Sequence, residues 1–389
     1  MYRKFVIVVL ISMACTSSLS SQNVSIDALK SERKAILKNI LQLQVKKSDD
    51  FPAGAFPSYR RYFYSSHYKP DYNLFYTLLI LHNIEKFKYQ FDQQELSLLD
   101  SAKLNARQYT LLFLNQKNQL SHNFWPKYPP QVFPNGGWLN WFDKMNALPD
   151  DIDDCALFAL VYENNPEYVG QLKTLFNDFK NGQNKFSKGF YKSDKNSQVY
   201  NTWLGKSYPI DIDISVLSNV LLMSSLSKSD YTATDSSSFS LIIKMIKEKK
   251  HITDPAYVSQ HYANTATIMY HIARLVYASQ YTQFNEIKDQ LVEEITTALS
   301  HCSYSVEAML LQNALLYLGK EYDTINIPIT IDLHKNDYPY FIANMTAILN
   351  NPFKRAISKM KIGEFEYYSY PFNLSLKFEQ LSLLIVKNK

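Results

Sequence analysis

Four carboxylates crowd into five residues, Asp150, Asp151, Asp153 and Asp154, just before Cys155 and the apolar run Ala156, Leu157, Phe158, Ala159, Leu160 and Val161. Aspartates at the start of a helix accept hydrogen bonds from its orphan N–H groups and complement its dipole, and one or two suffice for that. Four adjacent like charges repel, and shielding from water would push at least one pKa up while its neighbours stay ionised. That is how a carboxylic acid is kept protonated near neutral pH and made available as a proton donor.

A second acidic pair lies in Pro209-Ile210-Asp211-Ile212-Asp213-Ile214, where Asp213 also suits the N-cap of the helix carrying Leu217 and Leu221. Trp125, Trp138, Trp141 and Trp203 fall in irregular stretches, either as platforms for a ligand or as hydrophobes anchoring the loops. From Pro255 onward, Tyr257, His261, Asn264, Ile268 and His271 recur at steps of four and three, which on a continuous helix gives a polar stripe beside an apolar one. Such a stripe lines a wet cavity, with His261 or Asn264 facing the acids, or forms the solvated side of a surface helix. The histidines show no metal-ligand spacing, so no metal site is expected.

These groups have to be positioned by helices. With 46% hydrophobic and 20% charged residues, the 389-residue chain has material for a sizeable core, and its 9 Gly and 15 Pro are too few for a many-turned β-sandwich. Helix-period patterns cover residues 26–44, 71–88, 94–116, 152–164, 167–180, 213–227, 238–249, 255–279, 283–298, 305–319 and 374–387. The expectation is an all-α fold, αα-hairpins forming an array or closing into an (α/α) toroid, with short strands near the C-terminus at 325–331 and 365–370. No fixed-period repeat and no low-complexity linker divides the chain, so residues 23–389 are expected to form a single domain. The unpatterned stretches 121–150 and 186–203 are long for loops, and such loops are more often functional.

Residues 1–22 read as an export signal: Arg3 and Lys4 precede ten apolar residues, 5–14, too short to span a bilayer. Ser12-Met13-Ala14-Cys15 resembles a bacterial lipobox, which would make Cys15 the lipidated N-terminus of a periplasmic or outer-membrane lipoprotein, in contact with a membrane surface; cleavage further on is the alternative. Cys155 and Cys302 are expected as small buried hydrophobes. Lys+Arg 41 against Asp+Glu 36 gives +5, of which the signal supplies two, too weak a charge to imply a nucleic-acid partner.

Asp151-Ile152-Asp153-Asp154-Cys155-Ala156 resembles the D-x-D-D-T-A element of the class II terpene cyclases, with Cys155 where that family has Thr. The resemblance implies protonation-initiated cyclisation of an isoprenoid in an aromatic-lined cavity of an (α/α) toroid. Asp153 would be the general acid, supported by Asp151 and Asp154, with no cofactor. Asp150, Asp151 and Asp154 also fit the D-D-x-x-D pattern with which class I prenyl synthases hold Mg²⁺ against a diphosphate. A third reading keeps the toroid: exported (α/α) toroids often resemble glycoside hydrolases or polysaccharide lyases. Asp211 or Asp213 would then be the second acid and Trp138, Trp141, Trp203 and His261 would meet a glycan. A non-catalytic binding protein is the fourth.

Overall fold

Capping side chains set most of the helix starts. The computed structural model describes residues 25–137, 141, 147–322, 325–335, 337–344 and 349–388. Ser25, Asn73, Asn165 and Ser369 accept hydrogen bonds from the first turns of α1 (Ile26–Gln42), α2 (Leu74–Glu85), α5 (Pro166–Asn177) and α14 (Tyr370–Lys387). Reciprocal capping boxes, Asp92 with Glu95 and Thr232 with Asp235, open α3 (Gln93–Thr110) and α7 (Ala233–Lys247). Asp151 caps α4 (Ile152–Tyr162) and Asp213 caps α6 (Ile214–Leu226). The remaining helices are α8 (Lys250–Thr253), α9 (Pro255–Val258), α10 (Thr265–Ala278), α11 (Asn285–Ser300), α12 (Ser305–Tyr317) and α13 (Phe353–Ile357). The chain is mostly helical, about 52%, with fourteen helices among the described residues.

Two kinds of helix alternate along the chain. α2, α4, α6 and α10 are buried on every side over residues 74–84, 152–161, 214–224 and 266–275, and α12 and α14 nearly so. α1, α3, α5 and α11 bury one stripe only, as in α11 with Ile287, Leu291, Ile295 and Leu299 at steps of four. The buried helices pack in sequence order, α2 on α4, α4 on α6, α6 on α10, α10 on α12, α12 on α14, and α14 back on α2. The striped helices lie against them: α3 on α2, α5 on α4 and α6, α11 on α10 and α12, α1 on α14. α7, with a broader buried face, packs on α6. One contiguous apolar core runs from Leu37 to Leu383.

A small antiparallel sheet departs from the all-α expectation. Its order is β2 (Tyr68–Pro70), β1 (Tyr59–Tyr62), β4 (Glu364–Tyr368), β3 (Phe341–Asn344), with Tyr59 opposite Tyr368 and Phe341 opposite Tyr367. Half of it therefore comes from the N-terminal part of the chain, and the strand expected at 365–370 is β4. The strand expected at 325–331 does not form: Ile325, Ile327, Ile329 and Ile331 alternate as a strand would, but they rest on the core, and among the described residues no neighbouring strand completes a ladder. The helix expected over 255–279 is broken. Residues 259–264 leave the helix because their polar groups bond to Asp211 and Asp213 instead. The proposed polar stripe is not a solvated face either, since His261 and His271 are both buried. The export-signal residues and Cys15 lie outside the described residues, as does Trp138. Among the described residues no helix is long and apolar enough to cross a membrane, and Cys155 and Cys302 are free and buried.

Candidate functional site

The start of α4 is tied to the segment before α6 by a short run of backbone bonds. Leu204 N donates to Asp150 O (2.7 Å), Ile152 N to Thr202 O (3.0 Å) and Thr202 N to Asp211 O (2.9 Å). Residues 202–204 thus lie between the two helix starts, placing the aspartates 151–154 beside Asp211 and Asp213 although about sixty residues separate them in sequence.

Asp153 is buried, and its two oxygens accept from Asn219 Nδ2 of α6 (2.7 Å) and from the Tyr262 hydroxyl. Burial pushes this carboxyl up to about 7, with the charge of Asp151 adding to the rise, while the two donors pull the other way. Asp151 caps the helix through Asp154 N (2.8 Å), and burial raises its carboxyl to about 6 even though Asp154 hydrogen-bonds to it. Asp154 is driven well up by burial and by the charges of Asp151 and Asp153. Each of them keeps one buried oxygen, Asp151 Oδ2 and Asp154 Oδ1, with no hydrogen-bond partner.

Asp211 shows the opposite electrostatics. It accepts from His261 Nε2 (2.9 Å), Lys354 Nζ (3.2 Å) and the Gln260 amide. Burial raises its pKa, but Lys354 and His261 together outweigh burial and hold the carboxyl below the usual range. Burial lowers the His261 pKa, and Asp211 and Asp213 overcome that, leaving the imidazole more basic than usual. Asp213 binds Ser215 N (2.8 Å), Ser259 Oγ (2.7 Å) and His261 N (2.9 Å), so it both caps α6 and fastens the 259–264 segment. The site therefore sets a carboxyl that burial raises to about 7, Asp153, beside one that Lys354 and His261 hold below the usual range, Asp211. Carboxyls driven apart in this way can divide acid and base roles.

Aromatic rings pack around the acid's partner. Phe341 lies 4.8 Å from Phe75, 4.9 Å from Phe124 and 5.6 Å from Tyr262, and Tyr340 lies 5.7 Å from Tyr262. Trp203 joins the site edge-on to the His261 ring at 5.6 Å. Trp141 is 85% exposed, and Trp125 is buried elsewhere, its Nε1 donating to Asp71 at 3.1 Å. Asp150 turns away from the other three acids toward Asn115 (2.6 Å), Ser121 (2.5 Å) and Lys127. The D-D-x-x-D triplet does not converge on one point, and among the described residues no group of three His, Cys, Asp or Glu could hold a metal ion.

Asp151, Asp153, Asp154, Asp211, Asp213, His261 and Trp203 thus come together, and Trp141 does not join them. Asn219, Tyr262 and Lys354 belong to the site without having been singled out from the sequence. Asn219 carried a signal, a lone amide inside the apolar run from Val216 to Met223. Tyr262 sat among apolar neighbours, and nothing local marked Lys354, which arrives from about 140 residues further on. No family model matches the chain, and neither does any curated protein or solved structure.

Proposed function

We propose that the chain is an (α/α) toroid with six inner helices that protonates an isoprenoid alkene and cyclises it, in the manner of the class II terpene cyclases. The toroid is supported by the cycle of buried helices α2, α4, α6, α10, α12 and α14, in which the last packs on the first. The chemistry rests on one observation: Asp153 is a buried carboxyl with a hydrogen-bond donor on each oxygen, Asn219 and Tyr262, and burial pushes it up to about 7, so that a protonated fraction persists near neutral pH. The Asp153 proton passes to one alkene carbon, the π pair becomes the new C–H bond, and the other carbon is left cationic. Negative charge appearing on Asp153 strengthens both hydrogen bonds at that moment, stabilising the transition state more than the ground state. The rings of Phe75, Phe124, Tyr340 and Phe341 offer π faces to the cation, which after cyclisation loses a β-proton to water and becomes an alkene, and Asp153 is reprotonated from solvent.

Asp211 favours a second reading, a carbohydrate-active enzyme. An ionised carboxylate on the neighbouring helix start, next to Trp203, is the partner a glycosidase acid needs. Incubating the purified chain with non-phosphorylated isoprenoids and, separately, with polysaccharides, each with and without chelator, separates the two. Cyclised product formed without metal and lost in Asp153→Asn supports the first reading. New reducing ends support the second. Loss of diphosphate from a prenyl diphosphate only with Mg²⁺ would replace both with metal-assisted ionisation, and no product under any condition would leave a binding role.

A further inference from the structure

A second buried charge cluster lies among α2, α10, α12 and α14. Glu379 of α14 accepts from Tyr270 Oη (2.6 Å), Tyr317 Oη (2.5 Å), Asn313 Nδ2 (2.9 Å) and the Lys86 ammonium. A carboxylate offers about four lone-pair directions, so Glu379 has no capacity left, and its charge is matched by Lys86. Arg274 of α10 shares this interior. It is buried, its guanidinium lies 5.1 Å from the centre of the Tyr270 ring, and neither Nη1 nor Nη2 reaches a hydrogen-bond partner.

The surroundings of Arg274 supply no second negative charge. His82 of α2 is buried with Nε2 unpartnered, and both Lys86 and Arg274 lie close enough to oppose its protonation. His271 donates from Nδ1 to Thr267 O (2.8 Å), so its Nε2 accepts the Tyr340 O–H (3.1 Å) and the ring is neutral. Tyr340 stands beside Arg274 as a neutral phenol whose oxygen offers the guanidinium a weak contact but no charge. Burial, with Arg274 adding to it, lowers Lys86 to about 8, so below that pH Lys86 and Arg274 against Glu379 leave one positive charge over, on a group with open donors. Buried charges are normally paired, because an unpaired one forgoes its hydration with nothing in return.

We propose that Arg274, with His82 in its Nε2–H tautomer, binds a small monovalent anion, a halide or a carboxylate as small as formate, enclosed among these four helices. Nη1, Nη2 and Nε2 are the donors, and the anion's charge balances the cluster. The site is separate from the acids at the α4 and α6 starts and does not depend on the activity proposed there.

The test uses the full chain purified into gluconate, an anion too large to be enclosed. Thermal melts with rising chloride, and separately with rising formate, at matched ionic strength should raise Tm by equal steps for each tenfold increase in the bound anion above its dissociation constant. The salt that gives the rise identifies the source. Arg274→Met should show no such dependence, and crystals of the wild type grown in bromide should show anomalous density within about 3.5 Å of Nη1 or Nη2. Identical melting in all three salts, a dependence that persists in Arg274→Met, or, where chloride gives the rise, no bromide density at Arg274 would overturn the proposal. Crystals grown in the salt that raises Tm, bromide standing for chloride, decide the matter even if the variant fails to fold.

Discussion

Replacing Asp153 by Asn separates a neutral proton donor from an ionised structural aspartate. Below about pH 4 both the folded and the unfolded chain hold the Asp153 proton. As pH rises, the unfolded carboxyl ionises while the folded one keeps its proton until about 7, so this group's contribution makes the fold less stable across that window. The full difference between 3.8 and about 7 corresponds to about 4 kcal/mol, and the part gained between about pH 5 and about pH 8 to about 3 kcal/mol. Asn removes the titration and keeps the geometry: its oxygen can accept from Asn219 and its amide can donate to the Tyr262 oxygen. Asp151 and Asp154 take up part of the released repulsion, so the stability of Asp153→Asn relative to wild type should grow by about 1 to 3 kcal/mol from about pH 5 to about pH 8. Denaturant unfolding of both proteins at the two pH values measures this, and any alkene protonation should vanish in the variant. A gap that stays constant, or that favours wild type more strongly at the higher pH, would mean Asp153 is stabilised as a carboxylate and would refute the neutral-acid argument.

Tyr262→Phe removes a donor that favours the ionised form of Asp153, so the Asp153 pKa should move further up and stability should fall by about 1 to 2 kcal/mol, more at high pH than at low; melts across pH would show a uniform loss if the hydroxyl served packing alone. Lys354→Met leaves Asp211 with only His261 as a charged partner and should cost about 3 kcal/mol, part of which Asp211→Asn in the same background recovers. Equal losses in the single and double variants would show that Lys354 contributes through its stem rather than its charge. Cys155 and Cys302 are both free, so a reducing agent should leave Tm unchanged, and a fall of several degrees would reveal a bond. Labelling with a radioactive fatty acid should mark the wild type and spare Cys15→Ser, and an unlabelled wild type would remove the lipid anchor while leaving export untouched.

Much of the architecture was legible because helices are specified locally. Apolar periodicity, together with the capping power of Ser25, Asn73, Asp92, Asp151, Asn165, Asp213 and Thr232, is written within a few residues of each helix start, and apart from the one expected over 255–279 the expected helices formed with their ends shifted by a few residues. The density of charge in Asp150 to Asp154 also marked the place of the buried acids, since no ordinary cap calls for four carboxylates. Partnership across the chain was not written there. The sheet joins residues about three hundred apart, and Ile325 to Ile331 alternates like a strand yet finds none beside it. Residues 259–264 carry a helical pattern, and Asp211 and Asp213 draw their polar groups out of it because a buried carboxylate left unbonded costs more than one interrupted helical turn. Which aspartate stays neutral was likewise a tertiary outcome. The sequence set four acids side by side and two more downstream, but Lys354 and His261 reached Asp211 while Asp153 received only neutral donors, and burial without a cation leaves a carboxyl protonated.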